Sequence, residues 1–272
     1  MSEPISVFLI TLNEVAHIEQ VLERVAWADE VVVLDSGSTD GTVEICKRMG
    51  VDLHHQDWLG YSAQKAAALQ RCRNDWCLNV DGDEIVSAEL AKELQDWTAS
   101  KEVSAVEISI NDSIMGKFLS RFSRKRRIIR LFRRSQAAYP TNRTVHENLQ
   151  VSGSVVRSKH CLHHLGYDDP TKYFAKQIKY ARLRAEDKFR DGKSGSLIKL
   201  WLVGPFTFFR TFLLSRLILS GRAGLIIAAA ETSYAFCKEA HLIRLSQQKS
   251  YGAEESQQQR QGEPEAFTDD GD

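Results

Sequence analysis

The 272-residue chain is 43% hydrophobic and 26% charged, enough apolar sequence for one substantial core with an appendage. Its 36 Lys and Arg balance 36 Asp and Glu, and a formal net charge of zero excludes a molecule that binds polyanions through bulk electrostatics. Five cysteines, Cys46, Cys72, Cys77, Cys161 and Cys237, form no CxxC pair, which excludes a full disulfide framework and fits a reducing compartment.

The opening run MSEPISVFLITLNE lacks the basic flank and the apolar length of a secretion signal and reads as a first β-strand. From there to about Ile110, short β-branched runs alternate with helical patterns, which is how a parallel sheet with crossover helices is written. Strands are expected over residues 5–12, 30–35, 51–55, 76–80 and 103–110, with helices over 15–25, 41–49, 61–71 and 88–99. The fold class is therefore α/β. Ligands of such sheets bind beyond the carboxyl ends of the strands, here residues 11–14, 35–40 and 81–84, so three polar clusters are expected to converge on one crevice.

Each cluster has a chemistry. In DSGSTDGT (35–42), Ser38, Thr39 and Asp40 can cap the next helix, whose amino end attracts phosphate; a plain turn would look the same. Lys65, four residues after Tyr61, reads either as an ordinary surface lysine or as a diphosphate contact. In NVDGDE (79–84), three carboxylates crowd one tight turn after an apolar strand, and their repulsion is costly unless a cation is shared. Mg²⁺ or Mn²⁺ would serve, since such hard ions bind one or two carboxylates and complete their shell with substrate phosphate oxygens. The other reading is a solvated acidic turn.

Further on, RFSRKRRIIRLFRR (121–134) holds eight basic residues and no acid, a run that reads as solvated or lipid-facing but also has charge to offer a leaving diphosphate. After Thr171 the pattern turns helical, and residues 193–230 carry Lys and Arg but no Asp or Glu. Within SLIKLWLVGPFTFFRTFLLSRLIL (196–219), Lys199, Arg210 and Arg216 interrupt the apolar run and Pro205 is expected to break it, so a spanning helix is not expected. Phe206, Phe209, Leu213 and Leu217 recur at helical spacing, which suits an interfacial helix on an anionic membrane surface, or a helix packed on its own domain or a second subunit. Three regions are expected: a catalytic domain over 1–168, an amphipathic helical region over 169–248 and a disordered, polar tail over 249–272.

FLITLNE, VVVLDSGSTDGT, GYSAQKAAAL, DWCLNVDGDE and TVHENL, in this order, resemble glycosyltransferase family 2 across about residues 4–240, and more narrowly the lipopolysaccharide core glucosyltransferases of the WaaE/KdtX group. The resemblance implies a GT-A fold, Rossmann-like with a mostly parallel sheet, that binds a nucleoside diphosphate sugar, usually UDP-linked, and inverts the anomeric centre. Carried over by position, it implies that Thr11, Asn13, Glu14 and Asp35 face the nucleoside and that Asp81 contacts the ribose. Asp83 would be the metal ligand and Lys65 would lie near the diphosphate.

Inversion by single displacement needs a general base beside the acceptor hydroxyl, and Glu147 of TVHE is the candidate; the other reading makes His146 and Glu147 a structural pair. His163 or His164 could complete the metal site, although paired histidines near a strand end are more often structural. The partners expected are a UDP-sugar, a lipid-linked saccharide acceptor and an anionic membrane surface, with no nucleic acid. The location expected is the cytoplasmic face of the cell membrane. The resemblance suggests glucose as the sugar moved and the lipopolysaccharide inner core as its acceptor. A nucleotidyltransferase would carry a glycine-rich basic loop where this chain reads TLNEVAHIE, and a noncatalytic membrane module would have lost Asp81, Asp83 or Glu147.

Overall fold

The computed structural model describes residues 2–139, 149–167 and 169–261, with side chains described through residue 248. The chain divides into two compact units, Met1–Pro170 with Arg216–Gly224, and Thr171–Ser215 with Leu225–Asp272.

The first unit opens as the alternation predicts: β1 (Ile5–Thr11), α1 (Ile18–Val25), β2 (Glu30–Asp35), α2 (Thr42–Arg48), β3 (Asp52–His55), α3 (Tyr61–Leu69) and β4 (Trp76–Asn79). Then follow β5 (Glu84–Ile85), α4 (Ala88–Thr98), β6 (Ala105–Ile114), β7 (Lys117–Phe118), β8 (Arg126–Arg133), β9 (Ala137–Ala138), β10 (Gln150–Val151) and β11 (Val155–His164). Strand alternation sends successive side chains to opposite faces. Val7 and Leu9 pack with Val21, Leu22, Leu90 and Leu94 on one face, whereas Phe8, Val32, Leu34 and Cys77 pack with Ala68 and Leu69 on the other. Full burial of each such aliphatic side chain contributes roughly 1.5–3 kcal/mol, so both faces must be covered, and helices cover them.

The sheet runs β3-β2-β1-β4-β8-β6-β11-β5, with β7 on β6. Its β3-β2-β1-β4 part is parallel. β8 then lies antiparallel between β4 and β6. This corrects the reading of residues 121–134 as one charge run. Residues 126–133 form an inner strand in which Arg130, Leu131 and Phe132 are buried while Arg126 and Arg127 are exposed. Arginines mask the strand pattern because the buried one, Arg130, is neutralised by partners that no local pattern reveals.

In the second unit, α5 (Pro170–Arg190), α6 (Leu197–Phe209) and α7 (Gly221–Gln261) carry the chain. α6 runs through Pro205 to Phe209, beyond the expected break, and passes into a π-helical turn over Arg210–Leu214. Proline removes one backbone donor and crowds the preceding turn without having to end a helix whose other hydrogen bonds persist. The segment Leu197–Leu214 is long and apolar enough to cross a membrane by length and composition. Its surface is open, with Ile198 75% and Trp201 81% exposed. Within the same unit, buried Glu239 pairs with Lys199 at 2.8 Å and accepts the Ser196 amide at 3.0 Å, fixing the start of α6 against α7. Helix α7 extends to Gln261, into the stretch expected as a tail; its Gln, Glu and Ala content favours helix.

Candidate functional site

The carboxyl ends of β1, β2 and β4 lie side by side in the parallel part of the sheet, so the motif residues gather at one edge. Thr11 ends β1 and donates its hydroxyl to Asp35 Oδ2, at the end of β2, over 3.1 Å. Asp35 Oδ1 accepts the amides of Gly37 and Ser38, each at 2.9 Å, and the Ser38 hydroxyl also bonds its carboxylate. Burial alone would raise the Asp35 pKa, but these hydrogen bonds hold it below the usual carboxylate value.

Asn13 sits in the left-handed region at φ 59°, a conformation asparagine tolerates. There its amide donates to Ser38 Oγ at 2.8 Å and its side-chain oxygen accepts the Thr39 amide at 2.9 Å. Asp40 accepts the amides of Val15 and Thr42. Ser38 and Thr39 therefore tie the β2 loop to the β1 loop rather than capping the next helix. α2 itself is capped by Gly41, at φ 101°. Glu14 closes the same corner over Gly82, where an added Cβ would lie 2.8 Å from Glu14 Cγ.

The acidic turn departs from the expectation of one shared metal ion. Arg130, buried on β8, reaches Asp81 Oδ2 at 2.7 Å, Glu84 Oε1 at 2.5 Å and Asn79 Oδ1 at 2.7 Å. Lys65 Nζ, also buried, lies 3.1 Å from Asp81 Oδ1. Desolvation works against ionisation of Asp81, yet Arg130 and Lys65 hold its pKa well below the usual value. Glu84 is raised instead, because burial and the neighbouring Asp81 outweigh Arg130. Two of the three carboxylates thus share a guanidinium, and Lys65 is a buried partner of Asp81.

Asp83 goes elsewhere. β5 pairs with β11 antiparallel, with His164 opposite Glu84, and this register brings His164 Nε2 to 3.1 Å from Asp83 Oδ2. The other ring nitrogen, Nδ1, lies 2.9 Å from Asp112 Oδ1 on β6, and Asp112 also accepts Arg126 at 3.2 Å. Burial would lower the His164 pKa, but the hydrogen bonds to Asp112 and Asp83 raise it to about 9. His163, on the opposite face of the strand, packs edge-on against Phe118 with ring centroids 4.8 Å apart, away from Asp83.

Among the described residues, no group of three or more His, Cys, Asp and Glu side chains is arranged to hold a metal ion. Asp83 and His164 are a pair, which fits an ion that takes one or two protein ligands and the rest from phosphate and water. Gly166 keeps their approach open, since a Cβ there would lie 2.5 Å from Asp83 Oδ2 and 2.8 Å from His164 Nε2. The structure therefore brings together Thr11, Asn13, Glu14, Asp35, Lys65, Asp81 and Asp83, while Glu147 and His146 lie outside the described residues. Sequence reasoning missed Arg130 and Asp112; the one available signal was a lone charge inside an apolar strand-like run, in RIIRLF and ISINDSI.

A mostly parallel sheet of this order, with a polar crevice at its carboxyl edge and an acidic turn after the fourth strand, defines a glycosyltransferase of GT-A architecture. The glycosyl transferase family 2 profile matches residues 6–151, and the chain belongs to that family. It is 31% identical over 252 residues to the lipopolysaccharide core biosynthesis glycosyltransferase LpsC of Rhizobium meliloti, covering 89% of this chain and 92% of that one. It is also 31% identical to a glycosyltransferase of Rickettsia bellii, over 91% of this chain and 89% of the relative. In fold it is similar to the mannosyltransferase PcManGT of Pyrobaculum calidifontis, solved with GDP-Man and Mn²⁺, at a TM-score of 0.50 and 18% identity over 94% of this chain and 81% of that one.

Proposed function

We propose that this glycosyltransferase moves a sugar, glucose from UDP-glucose, onto a lipid-linked saccharide of the lipopolysaccharide inner core, by inverting single displacement at the cytoplasmic face of the membrane. The observation that carries the reading is the Asp83–His164 pair beside the Asp81–Lys65–Arg130 cluster, at the edge where β1 and β2 present Thr11 and Asp35. The likeness to LpsC supports the acceptor class.

Asp35 and Thr11 supply a fixed acceptor pair for the nucleoside, and the interlocked Asn13 and Ser38 loops shape its pocket. Asp81, kept ionised and oriented by Arg130 and Lys65, accepts the ribose hydroxyls. Lys65 lies near the diphosphate, which its buried positive charge attracts. Asp83 and His164 would hold Mg²⁺ or Mn²⁺, whose role when bound is to neutralise charge on the leaving diphosphate. Glu147 takes the proton from the acceptor hydroxyl as the new glycosidic bond forms and the bond to the diphosphate breaks. The exposed apolar face of α6, with Leu197, Ile198, Trp201 and Leu202, supports peripheral attachment at the headgroup boundary, next to a lipid-linked acceptor.

Titration of UDP into the purified full chain, with Mn²⁺ and with EDTA, tests this reading. Mn²⁺-dependent binding that D83A abolishes supports it; equal binding with and without metal removes the assigned role of Asp83.

A further inference from the structure

On the same unit, a cavity of about 490 Å³ opens beside β6, β8 and β11 and is lined by Arg121, Arg124, Lys125, Arg126 and Arg127, with Ser109, Ser123 and Cys161 among them. Only Arg126 among these five cations has a carboxylate partner within the described residues, Asp112 at 3.2 Å. The nearby acids are engaged elsewhere. Glu107 pairs with Arg157 at 3.1 Å, and Glu93 accepts the amides of Lys159 and His160 at 2.8 and 3.1 Å. Five cations around one small cavity repel one another, and an anion entering it relieves that repulsion.

The cavity is built rather than left by a loose loop. Lys125 Nζ donates to the carbonyls of Ser120 and Arg121 at 3.1 and 3.4 Å, so the loop folds around its ammonium group. Buried Ser123 donates its hydroxyl to the Arg216 carbonyl at 3.0 Å, and the Ser120 amide donates to Ser220 Oγ at 2.9 Å. A preformed cationic site loses little entropy on binding. Guanidinium groups match phosphate with paired hydrogen bonds, and four of the five cations are arginine. The cavity also adjoins the reaction site, because Arg126 contacts Asp112, Asp112 contacts His164 and His164 contacts Asp83.

We infer that this pocket binds a phosphate carried by the acceptor saccharide and thereby presents the acceptor to the Asp83 side of the crevice. The inference rests on the glycosyl transfer proposed above and narrows its acceptor to a phosphorylated saccharide. A cavity with a mainly polar lining favours a sugar phosphate over the headgroup of a bulk phospholipid, whose tails would need an apolar exit.

The test titrates a deacylated, phosphorylated lipopolysaccharide core oligosaccharide, and the same oligosaccharide after enzymatic dephosphorylation, into the full chain with Mn²⁺ and UDP. Three proteins are compared: wild type, R124Q/R127Q, which alters two exposed side chains, and K47Q/K101Q, which removes the same charge at exposed positions outside the cavity lining. The phosphorylated form is expected to bind at least about tenfold more tightly to wild type and K47Q/K101Q, with that gap lost in R124Q/R127Q. Equal affinity for the two oligosaccharides, or a gap that survives R124Q/R127Q, overturns the inference. A parallel arm uses phosphatidylcholine vesicles containing phosphatidylglycerol; if R124Q/R127Q loses vesicle binding while keeping the oligosaccharide gap, the pocket belongs to membrane lipid and the inference falls. UDP binding is read separately, so failure of the donor site is distinguishable from failure of this pocket.

Discussion

His164 and Asp83 face each other, Nε2 to Oδ2, across 3.1 Å, because β11 closes onto β5 in a register that sets His164 opposite Glu84. The neighbouring His163 points to the other side of the strand, against Phe118. H164A is therefore expected to weaken Mn²⁺-dependent UDP binding by about 10–100-fold, and H163A to leave it within a few-fold of wild type. Calorimetric titration of both variants checks this, and equal losses would dissolve the distinction between the two histidines.

Gly166 offers a separate probe of the same pair. A methyl group there would lie 2.5 Å from Asp83 Oδ2 and 2.8 Å from His164 Nε2, so G166A must push the two apart or fill the space before them. Transferase activity and metal-dependent UDP binding are expected to fall together, while far-UV circular dichroism stays that of wild type. Wild-type metal response in a folded G166A protein would show that the space is not used.

Among the described residues, Arg130 is the guanidinium that pairs with both Asp81 and Glu84. R130M strips fully buried Glu84 of its guanidinium while Asp81 keeps Lys65, and is expected to cost about 3–5 kcal/mol in urea unfolding. Part of the loss should return at acid pH, where Glu84, whose pKa is already raised, takes up a proton. A variant as stable as wild type at neutral pH would mean that the cluster is neutralised some other way.

At the far edge of β8, Arg133 bridges Glu3 at 2.8 Å and Asp75 at 3.4 Å and lies over the Trp76 ring, 4.5 Å from its centroid. The hydrogen bond from Arg133 lowers the Glu3 pKa, and for Asp75 the hydrogen bonds of Ser135 and Arg133 outweigh burial. Carboxylates with depressed folded pKa values add stability above their unfolded pKa, near 4, and lose it as pH falls through the folded value. R133A should thus destabilise the fold at pH 7 by about 1 kcal/mol or less, since both acids are more than a third exposed, and lower Tm there, with little effect at pH 2.5. A Tm difference that does not shrink on acidification would assign the effect to the lost packing on Trp76.

The proposed membrane attachment rests on the exposed apolar face of α6. W201E/L202E places two charges on side chains that are 81% and 63% exposed, so folding should be unaffected. Co-sedimentation with anionic vesicles is expected to drop severalfold, with soluble UDP binding unchanged. Unaltered co-sedimentation would leave this face to another partner.

The strands and helices between Ile5 and Thr98 were readable, except the two-residue β5, because each is short, locally periodic and bounded by a turn. Strand β8 was not: its charges hide a buried strand whose arginine is satisfied only by residues far away in the chain. Pro205 misled in the same way, since a local breaker was tolerated by a helix held through Ser196, Lys199 and Glu239.

By itself, then, the amino-acid sequence determined the α/β class, the family and the three strand-end clusters of the crevice, all of which depend on residues close together in the chain. Only the tertiary structure decided which cations neutralise the acidic turn, which of two adjacent histidines meets Asp83, and that five of the eight basic residues in 121–134 line a cavity while Arg130 is buried against Asp81 and Glu84. Alternation along a strand says that neighbours face opposite ways, but register across the sheet decides which of them meets a given partner.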